Sequence, residues 1–139
     1  MTVEQALYPE VAAGGFCRVD HRMAFLIRVH AVMRPDMTVL EFGAGRGKWL
    51  EDPSPLRRRL GMLRGQVRRV VGADVDPAVQ ENEAVDERIL LTHGAPLPFT
   101  NETFDLICAF SVLEHLDNPK SMADELARVL KPGGWIIGW

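Results

Sequence analysis

In the segment Val39-Leu-Glu-Phe-Gly-Ala-Gly-Arg-Gly47, three glycines at alternate positions follow an acidic residue. A strand here delivers Glu41 near its C-terminal tip, and the chain then turns through Gly43, Gly45 and Gly47. Glycine at such a turn permits positive φ and a close approach of ligand to backbone, which a Cβ would obstruct. A second apolar run, Val70-Val-Gly-Ala-Asp74, also closes on an acid. A carboxylate at that second tip can accept hydrogen bonds from both hydroxyls of a ribose. Taken alone, G-x-G-x-G suits a tight strand-to-helix connection equally well. The two acids turn the reading toward a nucleoside-binding site.

The elements around these residues follow from periodicity and breakers. Asp20 can cap a helix to about Arg34, with Val19, Met23, Leu26, Ile27, His30 and Met33 on one stripe and Pro35 as the stop. Thr38–Phe42 reads as a buried strand. Leu56–Leu63 suits a short helix with arginines on its wet side, and Val70–Asp74 a second strand. Asp76-Pro77 has the chemistry of a helix start. Ile89–Leu91 is a third strand, Thr92–Phe99 a loop, and Phe104–Phe110 a strand buried on both faces. Pro119 opens a helix to about Leu130, with Met122, Leu126, Val129 and Leu130 inward. Lys131-Pro-Gly-Gly134 breaks it, and Trp135–Ile137 begins a fifth strand. This alternation predicts an α/β fold with a mainly parallel sheet flanked by helices. Ligands of such sheets bind at the carboxyl ends of the strands, where strand order reverses.

Composition narrows the function classes. The 139 residues are 47% apolar and 25% charged with a net charge of −3, as for an ordinary globular domain. That balance gives no reason to expect a nucleic-acid or acidic-membrane partner. No apolar stretch approaches the ~20 residues that span a bilayer, and the start of the chain does not read as a secretory signal. Cys17 and Cys108 form no CxxC pair, so a reduced, cytoplasmic setting is expected. His21, His30, His93 and His115 show no metal-ligand spacing, and no metal site is expected.

From Thr38 onward the sequence resembles the class I S-adenosylmethionine (SAM)-dependent methyltransferases, of the type 11-like kind. LEFGAGRG, VVGADVDP, GAPLPFTNETFDLICAFSVLEHL and ELARVLKPGGW follow one another in family order. The resemblance implies a Rossmann-like SAM-methyltransferase sheet, with 1–36 as an N-terminal segment and helix and 37–139 as the SAM-binding core. It also implies the cofactor and the residues that hold it. Glu41, Gly43, Ala44, Gly45 and Gly47 match the segment around the methionine part, Asp74 the ribose-binding acid, and Val75 a neighbour of the adenine. His93-Gly94 stands where the family usually has Asp-Ala against the adenine amine, a departure that leaves this contact without its carboxylate. Phe110 matches the position whose backbone faces the methionine moiety.

Methyl transfer requires an acceptor held in line with the donor, and an acceptor hydroxyl must lose a proton. His115, beside Glu114, is the candidate base, though a histidine at a loop–helix junction is more often structural. The segment Phe110-Ser-Val-Leu-Glu-His115 is not the Asn/Asp-Pro-Pro-Tyr motif of DNA-amino and glutamine methyltransferases. A small-molecule, sugar or lipid-linked acceptor is therefore expected. Arg57, Arg58, Arg59, Arg64, Arg68 and Arg69 are read as a solvated basic face, with a phosphate-bearing acceptor as the rival reading. Trp49, Trp135 and Trp139 are expected to pack against the sheet, and Arg18 is a candidate partner of the cofactor carboxylate.

Two other functions stay beside this one. In an NAD-binding domain the glycine motif continues as G-x-G-x-x-G and the acid follows ~20 residues on. Here Lys48 occupies the third-glycine position and Asp74 is farther away. The second is a SAM-binding module or fragment without turnover. The family's fold continues past the fifth strand, so the chain is expected to be C-terminally truncated. Its exposed sheet edge is expected to leave it marginally stable or self-associating.

Overall fold

Asp20 opens the first helix by accepting the Met23 N–H on its carboxylate at 2.8 Å, and α1 runs over His21–Val32. The structure, a computed structural model, describes residues 20–139. Arg18, Cys17, Val19 and the Gly14–Arg18 segment lie outside the described residues. The inward face of α1 is rotated from the expected stripe. Phe25, Leu26 and Val29 are buried, whereas Ile27 is 59% exposed. Phe25 faces inward because it stacks on Trp49 and meets Phe110 edge-on, with ring centroids at 6.1 and 5.0 Å.

The strands β1 (Thr38–Phe42), β2 (Arg69–Asp74), β3 (Glu87–Leu90), β4 (Phe104–Ala109) and β5 (Leu130–Gly138) form one sheet in the order β3-β2-β1-β4-β5. Every pairing is parallel. The helices α2 (Pro55–Gly61) and α3 (Pro119–Val129) are capped by Ser54 and Asn118. Successive strand residues alternate between two apolar layers. Val39, Val70, Leu106 and Cys108 pack with α1 on one face. Leu40, Val71, Phe104 and Ile107 pack with Leu126 and Val129 of α3 on the other. From β1 the chain steps outward to β2 and β3, then crosses back to β4 on the other side of β1. Strand order therefore reverses at β1, beside the glycine loop.

Four sequence expectations are corrected. Asp76-Pro77 opens only a 3-10 turn, Pro77–Glu81, rather than an α-helix. Lys131–Gly134 does not separate helix from strand, because β5 begins at Leu130 directly after α3. Phe104 faces Leu130 while Leu106 faces Trp135, so the Pro-Gly-Gly residues are absorbed as a bulge in the register. Lys131 anchors that bulge through the Asp105 carboxylate at 2.9 Å. Trp49 is buried as expected, but Trp135 on the outer strand and Trp139 just past its end are 50% and 45% exposed. The arginines of α2 are not all solvated either, for Arg57 is buried against Asp20 and Asp52.

Candidate cofactor-binding site

The glycine loop folds over the tip of β2. Gly43 and Ala44 donate their N–H groups to the Ala73 carbonyl at 2.8 and 3.3 Å. Gly45 N–H donates to Asp74 Oδ2 at 2.8 Å, and Asp76 N–H to Asp74 Oδ1 at 2.9 Å. Both carboxylate oxygens are thus held in place, and each keeps a lone pair for a further donor. Gly43 has φ +75°, and a Cβ there would stand 2.6 Å from Val112 Cγ2. Gly43→Ala should therefore cost about 1–3 kcal/mol through overpacking and left-handed strain. Urea unfolding should show a smaller loss in Gly43→Ala/Val112→Ala than the two single losses added together. Strict additivity would mean that Val112 is not what the new methyl meets.

Asn82 fixes the underside of the loop, a role not visible in the sequence. Its side chain is fully buried, donates to the Ala44 and Gly45 carbonyls at 3.3 and 3.0 Å, and accepts the Ala84 N–H. Such bonds join residues 37 and 38 positions apart, which no local pattern signals.

Two compartments open beside the loop, with Phe42 and Gly43 lining both. The larger, of about 410 Å³, is lined by Asp74, Val75, His93, Gly94, Val112 and His115 among others. That volume suits a nucleoside. The smaller, of about 20 Å³, is lined by Glu41, Ala44, Lys48, Trp49, Cys108 and Phe110 among others. Glu41 lines the smaller compartment and Asp74, on the adjacent strand, the larger, with Phe42 and Gly43 forming walls of both. Gly45 and Gly47 shape the loop, the first by holding Asp74, the second by a close approach to Asn82.

Glu41 is buried, and its Oε1 has no hydrogen-bond partner. Burial pushes its pKa up to about 8, with nearby Lys48 pulling the other way. A buried carboxyl with an unmade hydrogen bond is costly for folding alone. It marks the inner compartment as a place for a donor.

The outer compartment is walled by the Thr92–Phe99 loop, which α3 clasps. Arg128 donates to the Leu97 and Phe99 carbonyls, and Glu125 accepts the Leu97 N–H at 2.7 Å. His93 Nε2 lies 3.1 Å from Asp117 Oδ2 across the mouth. His115 lies in the 3-10 turn Leu113–His115 with its ring largely exposed. Glu114 Oε1 is 3.9 Å from His115 Nε2, too far to orient it by a hydrogen bond. Among the described residues no group of three or more His, Cys, Asp or Glu could hold a metal, and no helix is long and apolar enough to cross a membrane.

Residues 40–138 match the methyltransferase domain family. A probable S-adenosylmethionine-dependent methyltransferase of Mycolicibacterium smegmatis is 34% identical over 102 residues, covering 71% of this chain and 36% of its own. A ubiquinone/menaquinone biosynthesis C-methyltransferase of Hydrogenovibrio crunogenus is 28% identical over 142 residues, covering 90% of this chain and 53% of its own. The crystal structure of a putative methyltransferase from Bacillus halodurans superposes with a TM-score of 0.64 at 24% identity. That match covers 82% of this chain and 48% of that one. The chain spans about half the length, or less, of these relatives.

Proposed function

The chain belongs to the methyltransferase domain family of class I, SAM-dependent enzymes, and from that premise we propose that it binds SAM in the two-part crevice and transfers its methyl group to a small-molecule, sugar or lipid-linked acceptor. The observation that carries the reading is the Asp74 carboxylate. The glycine loop and the Asp76 N–H hold both its oxygens, and it faces a cleft of nucleoside size. The residues present suit the cofactor in three further ways. Gly43 leaves a space that a Cβ would fill, Glu41 carries an orphaned buried acceptor, and both compartments meet at Phe42 and Gly43.

On this reading Asp74 takes the ribose hydroxyls, and Val75, His93 and Gly94 border the adenine. Glu41, Gly43, Ala44, Gly45, Gly47 and Phe110 surround the methionine part. The bound sulfonium supplies an activated methyl group, so the chain need only position an acceptor and, for a hydroxyl, remove its proton. His115, exposed at the mouth of the cleft, is the candidate for that proton. A quinone-type ring is one acceptor class that the Hydrogenovibrio relative's name suggests.

Calorimetry with S-adenosylhomocysteine tests the cofactor. Wild-type chain should bind it, and Asp74→Ala should bind about a hundredfold more weakly, as the loss of two hydrogen bonds to a charged group implies. Equal affinity in the variant, or binding of NADH in place of the homocysteine compound, would overturn the reading. A radiolabelled-methyl screen over quinols, sugars and small hydroxylated or amine acceptors then identifies the substrate.

A further inference from the structure

Lys48 follows the last glycine of the loop and reaches back into the inner compartment. Its Nζ donates to the Phe110 carbonyl at 3.0 Å and stands 4.8 Å from the centre of the Phe110 ring. Glu41, Asp74 and Glu114 attract it electrostatically, and Arg22 repels it. A carbonyl and an aromatic face thus hold one ammonium, with the acids Asp74 and Glu114 attracting it from farther off, the composition of a cation site. Lysine does not satisfy that site. Glu41 Oε1 remains without a hydrogen-bond partner, although it lines the same compartment. Burial, followed by Arg22, lowers the lysine pKa, so the ammonium is held there at a cost.

We propose that the Lys48 ammonium is a tethered occupant of the subsite that receives the α-ammonium of the ligand's amino-acid tail, and that the ligand must displace it. This rests on the reading that the inner compartment takes the methionine part of SAM. An α-ammonium brings three donors, enough for both the Phe110 carbonyl and the orphaned Glu41 oxygen. The lysine lines this small compartment, of about 20 Å³, and gives it a positive charge until such a ligand arrives. It also sets a selectivity rule. Ligands with the aminoalkyl tail compete with Lys48, whereas nucleosides without it bind in the outer compartment and leave the lysine in place.

Two measurements test this on the intact chain. Lys48→Met should bind S-adenosylhomocysteine about tenfold more tightly than wild type, while adenosine affinity stays unchanged. Separately, Lys48→Ala should gain thermal stability from millimolar ethylammonium chloride, which refills the vacated site, relative to sodium chloride at equal ionic strength. Wild type should gain none. Weaker homocysteine-compound binding in Lys48→Met would instead make the lysine a direct ligand-holding group. Equal tightening of adenosine, or no ethylammonium effect, would equally overturn the proposal. If wild type and Lys48→Met both ignore S-adenosylhomocysteine and adenosine, the cofactor reading falls, yet the ethylammonium result still decides whether the subsite exists.

Discussion

Arg57→Met is expected to lower the unfolding free energy by about 3–5 kcal/mol, the usual cost of removing one partner from a buried ionic cluster. Arg57 Nη1 lies 2.6 Å from Asp20 Oδ2, and its Nε lies 2.9 and 3.1 Å from the two Asp52 oxygens. All three side chains are at most 4% exposed. Methionine fills similar space but leaves two carboxylates facing each other in the interior. Arg22 reaches Asp52 at 3.0 Å from a half-exposed position and offsets only part of the loss. Asp20 is also the cap of α1, so the damage spreads to the helix whose Phe25 and Val29 cover the inner compartment. Against a typical total of 5–15 kcal/mol, such a change should bring the chain close to unfolding at room temperature. Urea titration of wild type, Arg57→Met and Arg57→Lys measures it. Lysine should recover only part of the loss, because it cannot reproduce the guanidinium fork that joins both acids. A loss under about 1 kcal/mol, the range of exposed ion pairs, would mean that the cluster is hydrated in solution.

That cluster also marks where sequence reading reached its limit. The strands were legible because a parallel sheet buried on both faces needs unbroken apolar runs, and the runs ending at Phe42, Asp74 and Phe110 stand out from their surroundings. The glycine loop and Asp74 were legible because positive φ and a strand-end acid are both local signals. Arg57 was not, since one arginine among six in a basic stretch carries no mark of its partners, which lie 5 and 37 residues away. Asn82 was hidden for the same reason. The face of α1 failed differently: apolar residues at 23, 25, 26, 27 and 29 support more than one stripe, and the aromatic contacts of Phe25 with Trp49 and Phe110 decide between them. Lys131–Gly134 reads as a breaker by composition, yet the Lys131–Asp105 pair draws it into the sheet.

Glu41 leads to the second large effect, because its pKa of about 8 in the folded chain stands far above its ordinary 4.5. Between those values the unfolded chain has released the proton while the folded chain keeps it. The folded state therefore binds more protons, and stability falls as pH rises through this window, by up to ~1.4 kcal/mol per unit. Above pH 8 both states are ionised and the loss stops growing, at a total on the order of 4–5 kcal/mol. Glu41→Gln should remove this slope. It should match wild type near pH 4.5 and exceed it by several kcal/mol at pH 9, as read by urea unfolding at half-unit steps. The same carboxyl then reports on the ligand. An α-ammonium placed against Glu41 favours the ionised form, so S-adenosylhomocysteine should release close to one proton when it binds at pH 6–7. Calorimetry in buffers of different ionisation enthalpy counts that proton, and Glu41→Gln should release none from this site. A wild-type slope that survives the Gln substitution would show that Glu41 is already ionised in the folded chain, and with it the case for an inner compartment waiting for a donor would fail.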